Sequence, residues 1–332
     1  MIKRKKGMAG AALAMLLMAA GCSSNADTTA GDEGEQKQDS YVVGVTQIVE
    51  HPSLDEAYKG FQAALKDKGL DVEYDVQIAQ GDMNNNQTIA QNFVGDGVDL
   101  IFANSTPSAL GALNATKDIP IVFTSVTDPI GAGLVKSFEE PGANITGTTD
   151  THPEAIPNTI KFIDKYEEGT KIGMIFNSGE QNSVAQIDMV KEAVKGTDLK
   201  VVEAPVSTSA EVKQAAESLI GNADVIYIIT DNTVVSALES VIKVASDEDI
   251  PLYVGELDSV KRGGFAAYGF NYYDIGYQTG EMAASILTGD KKSADIPVQY
   301  PDKLKLLINK KAAEDMGVKL LPEWDKEAEY AE

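Results

Sequence analysis

The sequence predicts an α/β protein built from two similar doubly wound lobes, each with a parallel sheet, and a ligand cleft between them. Three observations carry this. Residues 98–129 and 223–260 run in one order: an acid, a short apolar run, a polar turn, an amphipathic helix, Ile-Pro and a second apolar run. The apolar runs, 100–103 and 225–229, are short and continuous, as in parallel strands covered on both faces. Each strand is followed by a polar turn at its carboxyl end, where open parallel sheets bind their ligands.

The elements follow in chain order. Lys3, Arg4, Lys5 and Lys6 precede an apolar run over 7–20, then Gly21 and Cys22. A basic start, a short apolar stretch and small residues make residues 1–21 a secretory leader, too short to span a bilayer comfortably. Cys22 is the only cysteine in 332 residues. Its place directly after Ala19-Ala20-Gly21 resembles the bacterial lipobox, in which the thiol is acylated and becomes the mature N-terminus. Ala19 stands where that pattern more often has Leu. Acylation predicts a chain anchored to the outer face of the bacterial cell membrane, since more than one acyl chain gives stable attachment. Residues 22–40, rich in Ser, Thr, Asp, Glu and Gly, cannot bury enough surface to order themselves and form an acidic tether.

The first half opens with "YVVGVTQ", a polar loop and the helix "PSLDEAYKGFQAALKDKG". "DVEYDVQIA" and "NNNQTIAQNFVG" add a strand and a helix, and 98–129 completes βαβαβαβ. The second half repeats that order with "KIGMIF", "NSVAQIDMVKEAVKG", "LKVVEAPV", "SAEVKQAAESLIG" and 223–260.

Composition narrows the function. The formal charge is −23, and −27 once the four basic leader residues are removed. That excludes nucleic acid and electrostatic docking on anionic lipid. The mature chain keeps one arginine, Arg262, so an arginine clamp for phosphate or sulfate is not expected. His51 and His152 lie about a hundred residues apart with no further ligands at metal spacing. No GxSxG, P-loop or GxGxxG occurs, the lone cysteine is used in the leader, and no cofactor or enzymatic activity is expected.

Several stretches together carry a family resemblance: "GVTQIVEHPSLDEAYKGF", "FTSVTDPIGAGLV", "NITGTTD", "NSGEQNS", "TDNTVVSAL" and "GELDSVKRGGFAAYGFNYYDIGYQTGEMAASILTG". From about Tyr41 to Trp324 the chain resembles the solute-binding lipoproteins of bacterial ABC importers with the type I periplasmic-binding fold. More narrowly it resembles the branch with tryptophan and tyrosine receptors. The resemblance implies capture of a small solute by closure of the cleft, as a monomer, and delivery to a membrane permease. The solute it implies is an amino acid, most plausibly aromatic. A solute-binding sensor and a receptor for a neutral sugar or nucleoside stay open as alternatives. It also implies crossings near Asp150 and Asn271, so that 41–149 and 271–290 form the N-terminal lobe and 150–270 and 291–332 the C-terminal lobe.

An amino acid presents a carboxylate, an ammonium and a side chain. The carboxylate is expected at hydroxyls and helix N-termini: Ser105 and Thr106, Thr124 and Ser125 after the fourth strand, and Asn182 and Ser183 after Glu180. Each of these also fits a plain N-cap or turn. For the ammonium the candidates are Asp231, followed by Asn232, and Glu256, both at strand ends of the second lobe; Asp128 reads better as a turn residue. Gln47, Glu50 and His51 lie at the tip of the first strand. Asn271, Tyr272 and Tyr273 lie at the return crossing, where an aromatic wall could stack on the solute or simply pack the lobes.

Overall fold

The computed structural model describes residues 40–167 and 170–331. The leader, Cys22 and the tether lie outside the described residues. The first lobe holds β1 (Tyr41–Gln47), α1 (Pro52–Asp67), β2 (Val72–Ile78), α2 (Met83–Asp96), β3 (Leu100–Asn104), α3 (Thr106–Ala115), β4 (Ile121–Val126) and β5 (Ile145–Thr149). The second holds α4 (Ala155–Tyr166), β6 (Lys171–Asn177), α5 (Gln181–Ala193), β7 (Lys200–Val206), α6 (Val212–Ser218), β8 (Val225–Ile228), α7 (Asn232–Ser236), α8 (Leu238–Asp247), β9 (Leu252–Val254), α9 (Leu257–Arg262) and β10 (Ala266–Gly269). Then come α10 (Tyr272–Leu287), β11 (Lys305–Asn309), α11 (Lys310–Asp315) and β12 (Ala328–Ala331).

The first sheet has the order β2-β1-β3-β4-β5, parallel throughout. In the second sheet β7-β6-β8-β9-β10 repeats that order, and β11 and β12 extend it. The repeated acid has one job in both lobes. Asp99 accepts from Val42 N at 2.8 Å and Asp224 from Lys171 N at 2.7 Å, each serving an N–H at the start of its lobe's first strand. The Ile-Pro pair repeats its role too: Pro120 O accepts from Ile101 N, and Pro251 O from Ile226 N. One feature departs from all-parallel sheets: β10 and β11 run antiparallel. Between them the chain leaves for the first lobe, where α10 packs along α1, so no helix crosses over the second sheet to set β11 parallel.

Apolar residues cover both faces of the first sheet. Ile101, Phe123 and Ile145 pack on one side, and Val43, Phe102 and Val122 on the other with α10. The second lobe has one large core that includes Trp324, whose ring lies 5.2 Å from Phe162. The chain leaves the first sheet after Thr149 and returns after β10, where α10 packs along α1. The second lobe was expected to resume at 291, but the crossing comes later. Thr146 Oγ1 donates to Ile296 O, Thr149 N donates to Gln299 O, and Tyr300 stacks on Phe138 at 4.2 Å. The return falls between Asp302, which accepts from Gln278 of α10, and Lys305.

Candidate functional site

The carboxyl ends of both sheets face one another across a closed cleft. From the first lobe, His51 is the N-cap of α1 and is buried. Its side chain caps nothing, and Nδ1 has no partner among the described residues. Ser105 caps α3 and Ser125 is the penultimate residue of β4; both are buried at positive φ, 111° and 56°. Non-glycine residues hold such backbone angles only where their surroundings enforce them, and such strain collects at functional sites. Ser125 Oγ is buried without a partner among the described residues, whereas Thr106 Oγ1 accepts from Thr127 N. Asp150, at the first crossing, accepts from Thr127 Oγ1 and from the Tyr272 hydroxyl, both at 3.0 Å.

The second lobe answers with acids. Glu180 gathers Asn177 and Asn182 amides, the Asn232 amide, and the N–H and hydroxyl of Thr233. Asp231 caps α7 through Val234 N at 2.7 Å, and accepts from Asn177 N and Ser183 Oγ, both at 2.6 Å. Glu256 accepts from Ser259 in its own lobe at 2.9 Å and from Ser53 of the first lobe at 2.7 Å. Both bonds fall on Oε2, which leaves Oε1 uncommitted among the described residues. A second bond between the lobes joins Gln186 to Thr127.

The electrostatics are lopsided. Among the described residues no lysine or arginine pairs with Asp150, Glu180, Asp231 or Glu256. Arg262 spends its guanidinium on both oxygens of Glu239 and on Val235 O. Burial therefore pushes the Glu256 carboxyl up to about 7, against the pull of its two serine hydroxyls. It pushes Asp150 up to about 6, with Glu256 adding to the rise, and Asp231 up to about 7, with Glu180 adding. His51 moves the other way: burial first, then Arg262, bring it down to about 4, so the ring is neutral. Beside these groups a cavity of about 450 Å³ opens between the lobes, lined by Ile48, Val49 and Met83 on one side and Thr208, Asn232 and Thr233 on the other.

The structure brings together His51, Ser105, Thr106, Ser125, Glu180, Asn182, Ser183, Asp231, Asn232, Glu256 and Tyr272 as buried groups at facing strand ends. Four expected residues stand apart. Glu50 and Asn271 are exposed, the latter because its side chain caps α10 through Tyr273 N. Thr124 turns to α10, where its hydroxyl joins Thr148 and, through it, Thr279. Gln47 is buried but braces its own lobe between Val49, Asp55 and Asn104. Asp231 lies at the cleft with both oxygens already occupied by its own lobe. Reading the sequence missed Asp150, Ser53 and Thr127; of these only Asp150 carried a signal, as a lone acid at the predicted crossing.

The chain matches the family described as ABC transporter substrate binding protein over residues 42–330. It is 45% identical to a tyrosine-binding protein of Clostridioides difficile, over 93% of this chain and 91% of that protein. Among solved structures, one from Streptococcus pneumonia in complex with L-Trp superposes with a TM-score of 0.83 at 33% identity, covering 88% of this chain and 99% of that one. A ligand-free, open substrate-binding protein with adhesive properties from Clostridium difficile superposes with a TM-score of 0.64 at 40% identity, with the same coverage. With the match running through both lobes and all three crossings, the chain belongs to the family of ABC transporter substrate-binding proteins.

Proposed function

We propose that this protein captures an aromatic L-amino acid, tyrosine or tryptophan, between its lobes and delivers it to a membrane permease. The carrying observation is the cluster of buried acids with no basic partner. Buried charge without a counter-charge is costly, so the site is short of a cation. An amino acid ammonium at Glu256 Oε1, with Asp150 nearby, supplies one. The ligand carboxylate then meets Ser105, Thr106 and the unpartnered Ser125 hydroxyl at the N-terminus of α3, where the helix dipole favours an anion. The side chain extends toward His51 and the open cavity.

The relatives support the aromatic class, since one is named for tyrosine and another holds L-Trp. They also support a ligand-ready arrangement. The open structure is the closer in sequence yet superposes less well than the L-Trp complex, as expected if the lobe angle separates them. Cys22 in its leader context further supports a lipid anchor on the outer face of the cell membrane; Cys22→Ser should move the protein from membranes to a soluble fraction or leave it unprocessed, and unchanged membrane fractionation would speak against it.

A thermal-shift screen of the twenty amino acids, glucose and adenosine tests the ligand class. Ligand at about a hundredfold its Kd stabilises the native state by about 2.7 kcal/mol. Tyrosine or tryptophan should give the largest shift. A shift with glucose or adenosine and none with any amino acid would replace this reading with a neutral-ligand receptor.

A further inference from the structure

We propose that Ser53 is a positioning residue that ties Glu256 to lobe closure: its hydroxyl reaches the carboxylate only when the lobes meet, holds it with Oε1 free for the solute, and slows release. This rests on the aromatic amino acid reading, which puts the ammonium at Glu256, and goes beyond it by naming the residue that couples that contact to closure. Ser53 is the second residue of α1 and is fully buried. A hydroxyl inside a helix ordinarily donates to the carbonyl four residues back. That carbonyl, Val49 O, takes the Gln47 amide instead, and Ser53 Oγ donates to Glu256 Oε2 in the other lobe at 2.7 Å. The first lobe fixes where Ser53 stands. Leu54 O accepts from Asn104 Nδ2 at 2.8 Å and Asp55 Oδ1 from Gln47 Nε2 at 2.9 Å, so the first turn of α1 is held to the ends of β3 and β1.

Glu256 is matched to it from the second lobe. It occupies the N-cap position of α9, yet its side chain makes no cap bond there. It accepts the two serine hydroxyls on one oxygen, Ser53 at 2.7 Å and Ser259 at 2.9 Å. The Ser259 bond lies within one lobe and persists at any lobe angle. The Ser53 bond joins the lobes and is lost when a hinge parts them. One donor lets the carboxylate turn; two, from facing lobes, hold it in one orientation. A hydrogen bond to an ionised carboxylate is stronger than a neutral one. Because this one exists only in the closed form, its strength acts on release and not on encounter.

Stopped-flow fluorescence of the full chain with L-tyrosine and with L-tryptophan, on the wild type and Ser53→Ala, separates the two rates. The variant should release ligand about 10- to 150-fold faster, with its association rate within about threefold of the wild type. Ser53→Cys, close in size but a weaker donor, should release at a rate between the two. Urea unfolding without ligand separates this role from packing: the Ser53→Ala midpoint should match the wild type, because the open form lacks the bond. An unchanged release rate in Ser53→Ala overturns the inference, while binding by the wild type keeps the aromatic reading intact. A lowered ligand-free midpoint, or slower association with unchanged release, overturns it likewise, since Ser53 would then serve the fold or the open lobe. A wild type that binds neither ligand fails the aromatic reading and takes this inference with it.

Discussion

Asp231 and Glu256 end neighbouring strands of the second sheet, yet their oxygens do different work. Asp231 closes its own lobe: three donors, two of them backbone, depend on it. Removing it deletes a cap worth about 1 kcal/mol and leaves buried donors unmet at about 1–3 kcal/mol each. Asp231→Ala should therefore cost about 2–4 kcal/mol in urea unfolding; a loss under about 0.5 kcal/mol would contradict this role. Glu256 reaches across the cleft and keeps one oxygen open. Its raised pKa has a signed consequence. In the ligand-free protein the native state favours the protonated form, so the contribution of Glu256 to stability is full below its ordinary value near 4.5 and is lost as pH rises through about 7. Asp150 acts likewise up to about 6. His51 has the opposite sign: its contribution is full above 6.5 and declines as pH falls toward about 4. An ammonium placed at Glu256 pulls that pKa back down. Binding near pH 6 should then release close to one proton, and little at about pH 8. Calorimetry in buffers of different ionisation enthalpy reads this directly, and equal release at both pH values would contradict it. Sequence could list both acids as strand-end candidates. It could not rank them, because the ranking depends on which donors from Asn177, Ser183 and Ser53 arrive in three dimensions.

The helix pair α1 and α10 ties the returning chain to the first lobe, and glycines let the two backbones meet. A Cβ at Gly276 would lie 1.8 Å from Ala57 O, and one at Gly60 would lie 2.1 Å from Tyr273 O. These are backbone clashes that no rotamer relieves. Gly276→Ala should destabilise by about 1–3 kcal/mol or more, seen as a lower urea midpoint; an unchanged midpoint would mean the helices separate freely. The strands legible in the sequence were those with continuous apolar runs. β5, "ITGTT", does not read as a strand from sequence, because after Ile145 its buried positions are threonines and a glycine. The hydroxyls of Thr146 and Thr148 are satisfied by Ile296 O, Thr279 and Thr124, partners far away in the chain. β10, "AAYG", hides for a similar reason: its small residues carry no strand period. The acid before β3 and β8 is visible as a repeat, and only the structure gives its cause, a bond to an N–H at the start of β1 and of β6.

At the scale of the whole molecule, two five-strand units of one topology face each other, joined by three crossings that can flex as a hinge. Few direct bonds hold the cleft shut, among them Ser53 with Glu256 and Gln186 with Thr127. These, beside uncompensated acids, make a weak latch in the absence of ligand. Small-angle scattering should show a larger radius of gyration for ligand-free protein than for protein saturated with its amino acid; the same radius in both states would contradict hinge closure. The central claim is that this cleft takes an aromatic zwitterion whose ammonium completes the acids. Its most direct test is titration calorimetry of L-tyrosine and L-tryptophan into the wild type and Glu256→Gln, which keeps the side chain's shape. At least one ligand should bind the wild type one-to-one, weakened about 30- to 1,000-fold in the variant. Equal affinity in both proteins, or a wild type that binds neither ligand, would contradict it.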